Sequence, residues 1–106
     1  MVKYLYQASY TSEGVKGLQK DKASGRKAAI EKAVEGLGGK IECIYFSFGK
    51  FDIMFVVDMP DNVVAGAFAL AAASTGMANV MTTPLLTVGD VDKACDMSVS
   101  YRPPGK

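Results

Sequence analysis

The sequence predicts an α+β domain with a four-stranded antiparallel sheet, its elements in the order β-α-β-β-α-β, and three observations lead there. Residues 2–10 alternate with period two, residues 24–37 switch to a helical period, and two apolar runs at 40–48 and 51–58 are separated only by Gly49-Lys50. A strand, a helix and a hairpin in that order form the opening half of a split β-α-β unit.

In "VKYLYQASY" the residues Val2, Tyr4, Tyr6, Ala8 and Tyr10 share one face and Lys3, Leu5, Gln7 and Ser9 the other. Aromatic and β-branched side chains at that spacing make a strand. Thr11-Ser12-Glu13 offers helix-capping chemistry, followed by a short helical turn through Val15 and Leu18 that Gly14 and Gly17 weaken. From Ser24 onward Ile30, Ala33, Val34 and Leu37 recur at i, i+3, i+4 and i+7, while Arg26, Lys27, Glu31, Lys32 and Glu35 take the wet side. Gly38-Gly39 ends this helix, since glycine accepts a positive φ without a steric penalty. The link Gly49-Lys50 has glycine at the first central position, which predicts a two-residue type II′ hairpin turn. Pro60-Asp61 opens a second helix that runs to about Ser74 and stops at Gly76. Residues 80–88 make the fourth strand, and Pro84 confines it to an edge or a bulge. A short helix is expected at 89–96, so that residues 1–96 form the domain and 97–106 a tail.

A chain of 106 residues suits one domain of about 100–150 residues. The formal net charge of +1 argues against a polyanion-binding protein. Lys16, Lys20, Lys22, Arg26, Lys27 and Lys32 lack interleaved aromatics, so they predict a solvated face rather than a nucleic-acid interface. Residues 62–89 hold no charged side chain, but Gly66, Gly76, Asn79 and Pro84 interrupt them. A membrane span needs about 20 predominantly apolar residues in succession, so no membrane partner is expected. Met1-Val2-Lys3-Tyr4 enters the first strand without an apolar leader, which points to a cytoplasmic protein. Histidine is absent, which removes the commonest metal ligand and the commonest acid–base group. Neither a metal nor another cofactor is expected. Cys43 and Cys95 are read as free thiols, Cys43 buried in its strand. Met54, Met59, Met77, Met81 and Met97 are read first as core fillers.

Two helices cover only one face of such a sheet, and the other face should alternate cleanly between polar and apolar residues. It does not. The second strand divides into Ile41, Cys43, Tyr45 and Glu42, Ile44, Phe46, Phe48; the third into Phe51, Ile53, Phe55, Val57 and Asp52, Met54, Val56, Asp58. Both faces are apolar along the middle, and soluble monomers rarely expose an apolar patch beyond a few hundred Å². The simplest cover is a second copy, two sheets packed about 10 Å apart. The second helix, almost without a polar side from Val63 to Ala73, suggests further assembly.

Several short motifs then carry a resemblance. Tyr4 in the first strand, Thr11 with Gly14 after it, Leu37-Gly38-Gly39-Lys40, Gly49-Lys50-Phe51-Asp52, Pro60-Asp61 before an alanine-rich helix and Thr82-Thr83 together resemble the GYD-domain family over about residues 3–90. That family is placed among the dimeric α/β barrels, so the resemblance implies a ferredoxin-like fold and a pair of subunits, and no particular reaction. The Gly-x-Tyr-Asp of the family reads Gly49-Lys50-Phe51-Asp52 here, so the phenol is missing.

Asp52 is the acid that opens the third strand, and it should lie near Ser9, Tyr10, Thr11 and Ser12. One carboxylate without an evident partner is better suited to anchoring a loop than to acid–base work. Tyr4, Tyr6, Tyr10 and Tyr45, with Phe51 and Asp52, are the candidate ligand-binding residues. The leading functional reading is an oligomeric module that binds a small molecule or serves in assembly between paired sheets. The alternative is a cofactor-free oxygenase or isomerase of the dimeric α/β-barrel type that uses Asp52 and the nearby tyrosines.

Overall fold

A computed structural model describes residues 1–106. The chain runs β1 (Val2–Tyr10), α1 (Ser12–Gly36), β2 (Lys40–Phe46), β3 (Ile53–Met59), α2 (Asn62–Ser74), β4 (Ala78–Leu85) and α3 (Val88–Cys95). All sheet pairings are antiparallel and the strand order is β2-β3-β1-β4. The split β-α-β order is thus the one expected, a ferredoxin-like α+β layout, and the last helix follows it as an appendage. No helix is long and apolar enough to cross a membrane.

The expected weak turn after Thr11 and the expected helix from Ser24 are one element with a sharp bend. Lys22 interrupts α1 with φ 63° and ψ 169°, outside the helical region. A non-glycine residue there costs on the order of 1–3 kcal/mol and is held by its surroundings. The start of α1 is pinned from two sides. Thr11 caps it by accepting the Gly14 N–H at 3.2 Å, and the Thr11 N–H donates to the Met77 carbonyl at 2.9 Å. At the far end Gly38 (φ 82°) follows the last helical turn; its N–H donates to Glu35 O and that of Gly39 to Val34 O. This paired arrangement satisfies the helix's final carbonyls.

The core lies between the sheet and the two long helices. Tyr4, Tyr6 and Ala8 of β1 meet Ile53, Phe55, Val57 and Met59 of β3, closed over by Ile30 and Val34 of α1 and Ala65 of α2. Its centre is aromatic: Tyr6 stacks on Phe55 at 5.2 Å between centroids, and Phe68 meets Tyr6 edge-on at 5.0 Å. The tyrosines of β1 therefore face the helices, and Leu5 and Gln7 face the other way.

Four sequence expectations are corrected. The β2–β3 connection is not a two-residue type II′ turn at Gly49-Lys50. It spans Ser47 to Asp52, and Gly49 has no positive φ. Strand β2 does not alternate uniformly: Ile41 pairs with Val57 but Cys43 with Val56, so Glu42 is the extra residue of a bulge. Ile41, Ile44 and Phe46 consequently share the helix side, and Cys43 and Tyr45 the open side. A bulge reverses the parity of a strand without changing its composition, and here it brings Glu42 within 2.9 Å of the Lys3 ammonium. Cys43 is therefore only half-buried, on the open face, and both cysteines are free. Of the methionines only Met59 is fully buried, while Met77, Met81 and Met97 are exposed.

The close approach at Gly14 gives a direct test. A Cβ there would come within 2.0 Å of the Met77 carbonyl oxygen, whereas one at Gly17 meets nothing within 4 Å. Chemical denaturation should show Gly14→Ala destabilised by about 1–3 kcal/mol through forced overpacking. Gly17→Ala should instead gain about 0.5–1 kcal/mol from helix propensity.

Candidate functional site

The six residues singled out in the sequence do not converge; the structure places them in four neighbourhoods. Tyr4 and Tyr6 lie deepest. The Tyr4 hydroxyl donates to Asn62 Oδ1 and the Tyr6 hydroxyl to the Ala65 carbonyl at 2.7 Å, so both phenols are committed to the first turn of α2. Burial pushes the Tyr6 phenol from 10.0 up to about 12.

Tyr10 and Asp52 meet at the opposite end of β1. Asp52 grips that end twice: its N–H donates to Ala8 O at 2.8 Å, and its Oδ2 accepts the Tyr10 N–H at 2.7 Å. Its carbonyl also accepts the Ser47 N–H at 2.9 Å, which closes the hairpin loop. Ala8 is the last residue of β1 paired with β3 while Tyr10 still pairs with Ala78 of β4, so the carboxylate takes up an amide just beyond the end of the β1–β3 ladder. Phe51 sits in the same loop with the Lys50 ammonium 5.8 Å from its ring centre. Tyr45 is on the open sheet face, 65% exposed and opposite Met54.

Two further residues belong with Tyr10. A recess of about 250 Å³ at the start of α1 is lined by Tyr10, Gly14, Asp21, Arg26, Thr75 and Met77, among others. Arg26 Nη1 reaches Asp21 Oδ2 at 3.6 Å across the bend at Lys22, so the ion pair spans the break. Burial raises the Tyr10 phenol, and the guanidinium beside it opposes that rise. A neutral hydroxyl next to a fixed cation can hold a carboxylate or another hydrogen-bond acceptor. Arg26 is expected on the wet side for its charge, although it stands four residues before Ile30 and seven before Ala33, on the same helix face. That spacing was the available signal, and the run of polar and small residues from Asp21 to Gly25 marks the bend before it.

The open face of the sheet forms ordered rows. Cys43, Val56, Leu5 and Thr83 make one row; Tyr45, Met54, Gln7 and Met81 make the next. Beyond the first row Lys3 binds Asp58 and Glu42, each at 2.9 Å, and these bonds raise the Lys3 ammonium above its ordinary range. Neither α1 nor α2 covers this face, since the opposite face holds the core.

With this geometry in place, comparison with known families shows that the model of the GYD domain matches residues 4–95. No curated protein matches the chain.

Asp52→Ala should cost about 1.5–3 kcal/mol, the range for hydrogen bonds to a charged group, with Asp52→Asn milder because an acceptor remains; urea denaturation measures both. Alkaline titration offers a second check. The unfolded phenol ionises near 10.0 and the folded Tyr6 only near 12, so the folded chain keeps a proton that the unfolded chain releases. The stability from this group is full below pH 10 and is lost progressively between those two values. Melting temperatures of Tyr6→Phe should lose that part of the alkaline decline while starting from a lower plateau.

Proposed function

The chain belongs to the GYD-domain family, and from that premise we propose that it is a self-pairing module which joins copies through the bare face of its sheet and receives a small ligand in the Tyr10–Arg26 recess. The observation that carries this reading is the pair of rows on that face. Leu5, Cys43, Tyr45, Met54, Val56 and Met81 form an apolar surface with only Gln7 and Thr83 among them. A solvated antiparallel sheet would alternate to polar residues there. Two such faces, packed about 10 Å apart, remove one another from water without either chain changing shape. The row of Lys3, Asp58 and Glu42 closes its own charges, so it tolerates a position at the rim.

Support for a ligand is of a different kind, a concave site whose wall holds the Tyr10 phenol and the Arg26–Asp21 ion pair. Two free thiols suit a reducing compartment, in keeping with a cytoplasmic protein. The catalytic alternative, an oxygenase or isomerase working through Asp52 and the tyrosines, draws on less. The Tyr4 and Tyr6 hydroxyls already donate to α2, and one oxygen of Asp52 holds a backbone amide.

Sedimentation equilibrium tests the pairing. The protein should be at least a dimer at micromolar concentration. Tyr45→Glu combined with Met81→Glu should weaken the association at least about tenfold, equivalent to roughly 1.4 kcal/mol. Both side chains are exposed in the single chain, so the fold should persist by circular dichroism. A stable wild-type monomer would sink the proposal.

A further inference from the structure

We infer that the C-terminal arm, Leu86–Tyr101, docks on a second copy of the chain, with α3 lying in the apolar groove between that copy's α1 and α2. This goes beyond sheet pairing, because it uses a different surface and a different segment.

The arm is not built to stand in water. Every residue from Leu86 to Lys106 is exposed, and α3 makes no substantial contact with any other element. The chain consequently extends 55 Å along its long axis, with a radius of gyration of 16.8 Å, against about 13 Å for a compact domain of this length. Leu86, Val88, Val91, Met97, Val99 and Tyr101 are all between 45% and 83% exposed. An isolated helix shorter than about 12–15 residues is marginal in water, and α3 has eight. Yet its start is fully capped: Thr87 Oγ1 accepts the Asp90 N–H at 3.0 Å, and Asp90 Oδ2 accepts the Thr87 N–H at 3.1 Å. Val88, Val91 and Cys95 fall at i, i+3 and i+7, an apolar stripe that faces no neighbour.

The groove has the complementary character. It encloses about 380 Å³, and all but one of its lining residues are apolar, with Ala29 and Ala33 on one wall and Ala67 and Ala71 on the other. Small side chains on both walls let another helix approach closely. Val63 and Leu70 extend the surface along the exposed side of α2. Charge matches as well. Arg26, a cation, is the one charged residue in the groove wall. The arm brings Asp90, Asp92 and Asp96 against Lys93 alone over the same stretch.

Geometry directs α3 to another copy. α2 packs against β4, while α1 packs against β2, so the groove lies beyond α2 as seen from the end of β4. Only Leu86 and Thr87 connect β4 to α3. Two extended residues reach about 7 Å, less than the roughly 10 Å width of a helix with side chains, so α3 cannot cross α2 into its own groove.

Mixed cross-linking in the full chain tests this. One population carries Cys43→Ser and keeps Cys95 on α3; the other carries Cys43→Ser, Cys95→Ser and Ala71→Cys in the groove. Mild oxidation should give a disulfide-linked heterodimer several-fold above a control in which Glu13→Cys replaces Ala71→Cys. Val88→Asp with Val91→Asp on the arm should return the yield to the control level, and Tyr45→Glu with Met81→Glu should leave it unchanged. Equal yields at groove and control positions would overturn the inference. So would a disulfide formed within single chains that carry both Cys95 and Ala71→Cys, since the arm would then occupy its own groove. Loss of the sheet pairing alone changes the sedimentation result and not this one.

Discussion

Strand β1 runs between two neighbours and has two faces, and the way it divides its residues between them governs most of what surrounds it. Tyr4, Tyr6 and Ala8 go to the helices and Lys3, Leu5 and Gln7 to the open side. The first set is large and aromatic, so it needs Phe55 from β3 and Phe68 from α2 to fill the space around it. It also carries hydroxyls that cannot be buried alone, and Asn62 and Ala65 receive them. The position of α2 is thus set by two phenols as much as by apolar contact. A one-residue slip of β1 would send those phenols to the open face and leave α2 without partners.

The same division explains which parts of the protein were legible in its residues. Period-two and period-3.6 patterns are local, and β1, the second half of α1, α2 and the glycine stops at Gly38 and Gly76 follow from them directly. Pro84 was read as an edge signal, and β4 does pair on one side only. The failures arose where one extra residue shifts the pattern or where a side chain's charge was allowed to override it. Glu42 leaves the composition of β2 unaltered but exchanges the faces of Cys43 and Tyr45. Arg26, expected in solvent for its charge, stands four residues before Ile30 on the inner face of α1 and lines both the recess and the groove. Asp52 was legible as a loop anchor because its place followed from topology, whereas its exact donor, the Tyr10 amide, depended on a six-residue loop that a two-residue turn would have excluded.

The proposed function rests on surfaces more than on reacting groups. The titratable side chains near the core are either satisfied, as Tyr4 and Tyr6 are, or paired across a bend, as Arg26 and Asp21 are. Against that stand three unpartnered apolar regions: the sheet face, the groove between the helices, and the arm. In the proposed assembly the first packs on its own copy and the second receives the third. Under that proposal stability would be gained in stages, the core first and the outer surfaces only on meeting another copy.

The bulge at Glu42 has a bearing on how such growth is limited. Strands β2 and β4 are the two borders of the sheet, and each carries a defect in its hydrogen-bonding ladder: Glu42 in the one, Pro84 in the other. An intact border would template further strands and zip copies together without end. With a defect in each border, backbone-to-backbone extension into fibrils is disfavoured, which leaves side-chain surfaces as the route for the proposed pairing.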